Sequence, residues 1–94
     1  MSKVILSGYI EIPENELEVV TTALEKHIAL TRQETGCLVF EVTQSTDAPN
    51  RFNVYEEFVD KSAFELHQAR VKASHWGQVT TNVKRSYSIE ELNV

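Results

Sequence analysis

Hydrophobic and polar positions alternate along residues 3–12, and the alternation then gives way to a helical spacing. The residues on one face of the first segment are Val4, Leu6, Gly8, Ile10 and Ile12. This period of two is typical of a half-buried strand. Pro13 ends the strand, and Asn15 with Glu18 fits a capping box that opens a helix. The apolar stripe of that helix ends before Gly36 and consists of Leu17, Val20, Leu24, Ile28 and Thr31.

Two β-rich segments follow, at residues 37–44 and 51–59, with a polar connection at 45–50 that contains Asp, Pro and Asn. Such a connection favours an antiparallel hairpin. Asp60 is a suitable N-cap for a second helix. The inner face of that helix carries Ala63, Phe64, His67 and Val71.

The final part of the chain predicts a bend in the second helix at 74–77 and a fourth strand at 85–89, where Arg85, Tyr87 and Ile89 alternate with serines. An acidic tail after residue 89 is expected to fray. The element order is therefore β-α-β-β-α-β, which predicts a single α+β domain over residues 1–94 with a ferredoxin-like fold. Its four-stranded antiparallel sheet would carry both helices on one face.

The other sheet face would expose Ile5, Val39 and Tyr55. Pairing two such faces removes apolar surface from water, so we expect a homodimer. One cysteine and no basic-plus-apolar leader predict a cytoplasmic protein. The net charge of −5 argues against nucleic acid and anionic membranes, and no apolar run is long enough to span a bilayer. The expected partner is a small molecule.

Glu56 is the most informative candidate for chemistry, because it interrupts an apolar stripe on the third strand that includes Phe52, Val54 and Phe58. Burial raises the pKa of a carboxyl group, and a carboxyl tuned toward neutrality exchanges protons near pH 7. The alternative is a structural Glu neutralised by a nearby His or Arg. His67 lies on the inner stripe of the second helix and is predicted to point toward Glu56. The alternative is that His67 is a structural core residue whose ring nitrogens are hydrogen-bonded to neighbouring groups.

Further candidates surround this pair. His27 lies on the inner side of the first helix, and His75 with Trp76 comes where the second helix ends, a location suited to the rim of a pocket. Packing alone is the competing explanation for each. The three histidines do not form a metal signature, and no dinucleotide, nucleotide or serine-hydrolase motif is present. No metal and no cofactor is therefore expected.

The segments ETGCLVFEV (34–42) and RFNVYEEFVDKSAFELHQ (51–68) resemble the two characteristic stretches of the antibiotic biosynthesis monooxygenase family. The resemblance implies a dimeric α/β barrel and the oxidation of a phenolic or quinol substrate by O2 without metal or flavin. It implies a pocket formed by His27, Phe40, Glu56 and His67. A second histidine that many members carry comes earlier than His75 does here. Haem-degrading members need an asparagine on the first strand that this chain lacks.

The leading hypothesis is a cofactor-independent monooxygenase in which Glu56, with His67, removes a proton from a small phenol or quinol. A second hypothesis is an isomerase or tautomerase that shuttles a proton next to a carbonyl. In it, the basic stretch around Arg70 and Lys72 would hold an anionic group. A third is a dimer that binds a small molecule without converting it.

Overall fold

The computed structural model describes residues 2–93 and has the predicted order of elements. Strand β1 spans Ser2–Glu11, helix α1 spans Leu17–Arg32, and strands β2 and β3 span Cys37–Gln44 and Arg51–Phe58. Helix α2 spans Lys61–Ala73, the short helix α3 spans His75–Val79, and strand β4 spans Lys84–Asn93. All strand pairs are antiparallel and the sheet order is β2-β3-β1-β4. The α+β ferredoxin-like fold is confirmed.

The start of α1 differs from the prediction. A single 3-10 turn at Glu14–Glu16 precedes the helix, and Glu16 occupies the cap position without a side-chain hydrogen bond to the helix. The predicted capping box at Asn15 and Glu18 is therefore wrong. The 3-10 turn that follows Pro13 instead leads directly into α1, with the Glu16 amide donating to the Pro13 carbonyl.

The strand at the end of the chain is longer than predicted. Strand β4 pairs with β1 from Glu11↔Lys84 to Ser2↔Asn93, so the acidic segment after Ile89 is part of the sheet. All side chains of β4 are exposed. Exposed positions tolerate acidic residues in a strand, and the backbone pairing with β1 supplies the order that composition alone does not predict.

The core lies between the helices and one face of the sheet. The alternation predicted for β3 is confirmed, because Phe52, Val54, Glu56 and Phe58 are buried and the intervening residues are not. Across the sheet, Glu56 is paired with Phe40 of β2 on one side and with Leu6 of β1 on the other. A carboxyl group thus lies in the middle of an apolar row.

Helix α2 begins as predicted at Asp60, whose Oδ1 accepts a hydrogen bond of 2.8 Å from the Ala63 amide. Asp60→Ala leaves that amide without its acceptor, and we expect the free energy of unfolding to fall by about 1 kcal/mol. Urea denaturation would measure the change. Asp60→Asn is the matched control, since Asn is an equally good cap; an equal loss in both variants would contradict a capping role for Asp60.

Helix α2 ends at Ser74, where the predicted bend is a true break between two helices. Ser74 Oγ donates to the Val71 carbonyl at 2.7 Å and accepts from the Gly77 amide at 3.2 Å. The hydroxyl thereby closes one helix and caps the next. As a result the chain turns so that Trp76 is buried in the core while His75 stays exposed.

Candidate proton-transfer site

Three side chains from different elements form a linear arrangement beneath α2. Glu34 follows the C-terminal end of α1, His67 comes from the inner face of α2, and Glu56 comes from β3. His67 Nδ1 lies 2.8 Å from Glu34 Oε1, and His67 Nε2 lies 3.8 Å from Glu56 Oε1. The predicted pair of Glu56 and His67 is therefore adjacent, although it is not hydrogen-bonded.

Glu56 has the environment of a proton acceptor. Its side chain is 7% exposed, and Oε1 is buried without a hydrogen-bond partner among the described residues. Burial, with a smaller contribution from the negative charge of Glu34, raises the pKa of Glu56 to about 7. Near neutral pH this carboxyl group is therefore able to take up and to release a proton.

His67 is buried among aromatic rings, with its ring centroid 4.9 Å from that of Phe58 and 5.9 Å from that of Phe40. Burial lowers the pKa of His67, while the charge and hydrogen bond of Glu34 oppose that shift. The imidazole is thus favoured in its neutral form. A ring hydrogen on Nδ1 would be donated to Glu34, whereas a ring hydrogen on Nε2 would be directed toward Glu56.

Glu34 is the functional candidate that the sequence prediction missed. Its Oε1 lies beside His67, and its Oε2 accepts a hydrogen bond from Arg70 Nε. Arg70 Nη2 also donates to the buried hydroxyl of Thr31 at 2.9 Å. The signal for Glu34 was the pairing of His67 and Arg70 three residues apart on one helix face, which suits a shared carboxylate.

The binding role predicted for Arg70 is altered by these contacts. Its guanidinium forms an ion pair with Glu34 and a hydrogen bond with Thr31. Within the structure, Arg70 therefore holds Glu34 in position beside His67. Arg70 also separates two hollows. A hollow of about 240 Å³ is lined by Glu34, Thr35, Ala63, Leu66, His67 and Arg70. A second, of about 110 Å³, is lined by Ala23, Lys26, His27, Leu30, Arg70, Ser74, His75 and Trp76.

His27 and Trp76 form a stacked pair, with ring centroids 4.6 Å apart and an interplanar angle of 8°. His27 Nδ1 is buried without a hydrogen-bond partner among the residues described. Burial, followed by electrostatic contributions from His67, Arg70 and Arg85, lowers the pKa of His27 to about 3. His27 is consequently a neutral aromatic wall of the site, and Trp76 supports it from the core.

The structure brings six of the seven predicted site residues into one connected cluster beneath and beside α2. His27 contacts Phe40 edge to face at 5.5 Å, and its ring centroid is 6.1 Å from that of His67. His75 is exposed on the smaller hollow. Within residues 2–93, no group of three or more His, Cys, Asp or Glu side chains is placed to hold a metal ion. None of the described helices has the length and apolarity needed to cross a membrane.

Comparison with known proteins identifies one protein family that the chain resembles in sequence and in structure. The model of the antibiotic biosynthesis monooxygenase family matches residues 3–78. A Shewanella oneidensis protein of known structure is 31% identical, with a TM-score of 0.71 and coverage of 96% of this chain and 87% of that chain. No curated protein gave a significant match.

Two further structures share the fold at lower identity. A Nitrosomonas europaea protein named as a candidate antibiotic biosynthesis monooxygenase is 18% identical, with a TM-score of 0.74 and coverage of 99% of this chain and 89% of that chain. A Bacteroides thetaiotaomicron protein described as a possible oxidoreductase is also 18% identical. Its TM-score is 0.76, with coverage of 97% of this chain and 98% of that chain.

Proposed function

We propose that this chain, which belongs to the antibiotic biosynthesis monooxygenase family, oxidises a small phenol or quinol with O2 and uses Glu56 as the final acceptor of a substrate proton. The observation that carries the proposal is the Glu34–His67–Glu56 line, with a buried carboxyl group of raised pKa at its inner end. Perturbed carboxyl groups paired with histidine are typical of proton-transfer sites.

The proposed path runs from the larger hollow inward. Glu34 and His67 line that hollow, whereas Glu56 lines neither hollow beside Arg70. A phenolic proton would therefore be taken at Glu34 and passed to Nδ1 of the His67 tautomer that carries its hydrogen on Nε2, and Nε2 would release that hydrogen as a proton to ionised Glu56. The separation of 3.8 Å must close by about 1 Å for the last step, and such contacts often tighten when substrate binds.

Loss of the proton leaves an electron-rich phenolate, which reduces O2 directly. For a substrate SH2 the balance is SH2 + O2 → SO + H2O, so one oxygen atom enters the substrate and both hydrogens leave in water. The substrate supplies all the electrons, and the reaction needs no added reductant. In this scheme the protein contributes a base, an orientation and a site removed from bulk water.

The test is O2 uptake by the purified protein with a panel of hydroquinols, naphthols and anthrones, compared with each compound alone. Uptake above background, with one water formed per O2, is the expected result. No uptake with any member of the panel would overturn the monooxygenase proposal. Proton transfer that continues under nitrogen, followed as solvent deuterium entering a carbonyl substrate, would instead favour the isomerase.

Glu34→Gln tests the outer end of the path. Because Gln cannot take up the proton, we expect kcat to fall roughly tenfold while the fold is retained. Steady-state O2 uptake measures the rate, and circular dichroism checks the fold. Glu65→Gln, on the exposed side of α2, is the matched control and should leave kcat unchanged. Equal rates for Glu34→Gln and the parent would exclude Glu34 from the path.

We also retain the homodimer and its barrel as proposals. Ile5, Val39 and Tyr55 lie on the sheet face opposite the helices, where each is at least partly exposed, as the sequence predicted. Packing of two such faces would bury them. Sedimentation equilibrium of the parent and of Tyr55→Lys would measure this, with dissociation expected in the variant.

A further inference from the structure

A third cavity lies on the other side of α2, between that helix, α3 and strand β4. Its volume is about 500 Å³, and its lining residues are Gln68, Val71, Lys72, Gly77 and Arg85. Pockets for small molecules generally measure roughly 300–1,000 Å³. It shares no lining residue with the two hollows beside Arg70.

Two cations without a carboxylate partner line this cavity. Neither Lys72 nor Arg85 forms an ion pair within the described part of the chain. The surrounding sequence from residue 66 to residue 89 contains no Asp or Glu, although the protein carries a net charge of −5. The cavity is therefore a local region of positive charge on an acidic protein, which favours an anion there.

Arg85 is held in place before any ligand arrives. Its Nη2 donates to the buried Thr80 hydroxyl at 2.8 Å, and its Nη1 donates to the carbonyls of Thr80 and Val83 at 3.3 Å. These acceptors are uncharged, so they orient the guanidinium without cancelling its charge. A fixed guanidinium loses little conformational freedom on binding an anion, and it presents a planar set of donors.

Apolar groups adjoin the two cations. Val71 lines the cavity, and Tyr87 and Ile89 continue the same face of β4 as Arg85, because they are two and four residues further along the strand. Both are exposed, at 39% and 52%. A ligand with an anionic group at the cations would contact Val71 and would extend its apolar body along β4 toward Tyr87.

We propose that this cavity binds a small aromatic carboxylate, whose carboxylate is held by Lys72 and Arg85 and whose ring lies against Val71 and Tyr87. The proposal reassigns the anion-binding role that the sequence gave to Arg70 and Lys72, since Arg70 is already paired with Glu34. It does not depend on the proton path, so either can fail without the other.

The competing explanation for Lys72 is a favourable interaction with the C-terminal end of α2, where Arg70 and Lys72 both lie. The two explanations predict different results. A cation that serves only the helix contributes to stability and leaves ligand affinity unchanged. A cation that holds a carboxylate contributes to affinity in a manner that depends on the ligand's charge.

The experiment is a calorimetric titration of the parent protein with 4-hydroxybenzoate, with the neutral 4-hydroxybenzamide and with inorganic phosphate. We expect saturable binding of the carboxylate in the millimolar range or tighter and at least tenfold weaker binding of the amide. Weak phosphate binding would show that the ring contributes. Phosphate binding as tight as that of the carboxylate would overturn the aromatic part of the proposal.

Variants locate the site. Lys72→Gln is expected to weaken 4-hydroxybenzoate binding about tenfold, and Arg85→Lys to weaken it while keeping the charge. Lys84→Gln is the matched control, because Lys84 lines a different cavity on the other side of the strand. In amide NMR spectra the Gly77 resonance should shift on titration. No saturable binding, or equal weakening by Lys72→Gln and Lys84→Gln, would overturn the proposal.

Discussion

Glu56→Gln is expected to lower the rate of substrate oxidation by a factor of about 10²–10⁴, the usual contribution of a positioned acid or base. Gln resembles the protonated carboxyl group in shape but cannot accept the proton.

In the parent, activity should rise with pH as Glu56 ionises, with a midpoint set by its pKa of about 7. In Glu56→Gln this rise should be absent. The measurement is the pH profile of kcat, with the exposed Glu41→Gln as control.

The same substitution should raise stability at alkaline pH. The pKa of Glu56 is raised in the folded state, so between about 4.5 and 7 the folded protein binds the proton that the unfolded chain has released. Stability contributed by this group is therefore present below pH 4.5 and is lost as the pH rises through 7. The loss is on the order of 3 kcal/mol.

Urea unfolding of the parent and of Glu56→Gln at pH 5 and pH 8 measures this loss. The variant is expected to be the more stable protein at pH 8, and the advantage should shrink toward pH 5. If Glu56→Gln were less stable than the parent at pH 8, Glu56 would be a structural ion-pair partner. A raised stability together with lost activity is the result that a buried, unpartnered proton acceptor predicts.

His27→Phe is expected to make the protein more resistant to acid. The folded-state pKa of His27 is lowered to about 3, so from pH 6.5 downward the unfolded chain binds a proton that the folded protein does not. The stability from neutral His27 is complete above pH 6.5 and is lost as the pH falls toward 3. Between pH 6.5 and 4 the loss is on the order of 3 kcal/mol.

Phe keeps a ring against Trp76 and removes both the titrating group and the unpartnered Nδ1. Acid unfolding followed by circular dichroism should show a midpoint at lower pH for His27→Phe than for the parent. His75→Phe is the control, because His75 is exposed and should not change the midpoint. Coincident acid transitions of His27→Phe and the parent would refute a buried, neutral His27.

The two titrations oppose each other. As the pH rises from 4.5 to 6.5, Glu56 is ionised in the unfolded chain but still largely protonated in the folded protein, and this difference lowers stability. Over the same range, deprotonation of His27 in the unfolded chain raises stability. The parent should therefore have a flatter stability profile over this range than either variant. The double variant should again be flat, because both sources of pH dependence have been removed.

Local sequence patterns were sufficient to predict the orientation of side chains whose placement depends on a single helix or strand. The alternation along β3 placed Glu56 on the buried face, and the helical spacing of α2 placed His67 opposite it. Asp60 was predictable as a cap because an N-cap depends on contacts within four residues. The resemblance of residues 34–42 and 51–68 to one family agreed with the fold derived from these patterns.

Glu34 was not predicted because its role depends on contacts with residues 33 and 36 positions away, on another element. The pairing of Arg70 with Glu34 was not predicted for the same reason, since a basic residue in sequence gives no sign of the carboxylate that neutralises it. The segment from Ile89 to Asn93 looked like a frayed tail because its composition is acidic, and only its pairing with β1 makes it a strand. All three features depend on contacts between residues that are far apart in the sequence.

Strand β4 has no buried side chain and borders only β1, so hydrogen bonds along one edge supply most of what holds it to the sheet. Elements with few buried contacts open at a low free energy, well below that of global unfolding. Arg85 is carried on this strand and reaches back to Thr80. Transient detachment of β4 would therefore open the cavity at Arg85 and leave Glu34, His67 and Glu56 in place. The anion-binding cavity would then open and close independently of the proton-transfer site within one small domain.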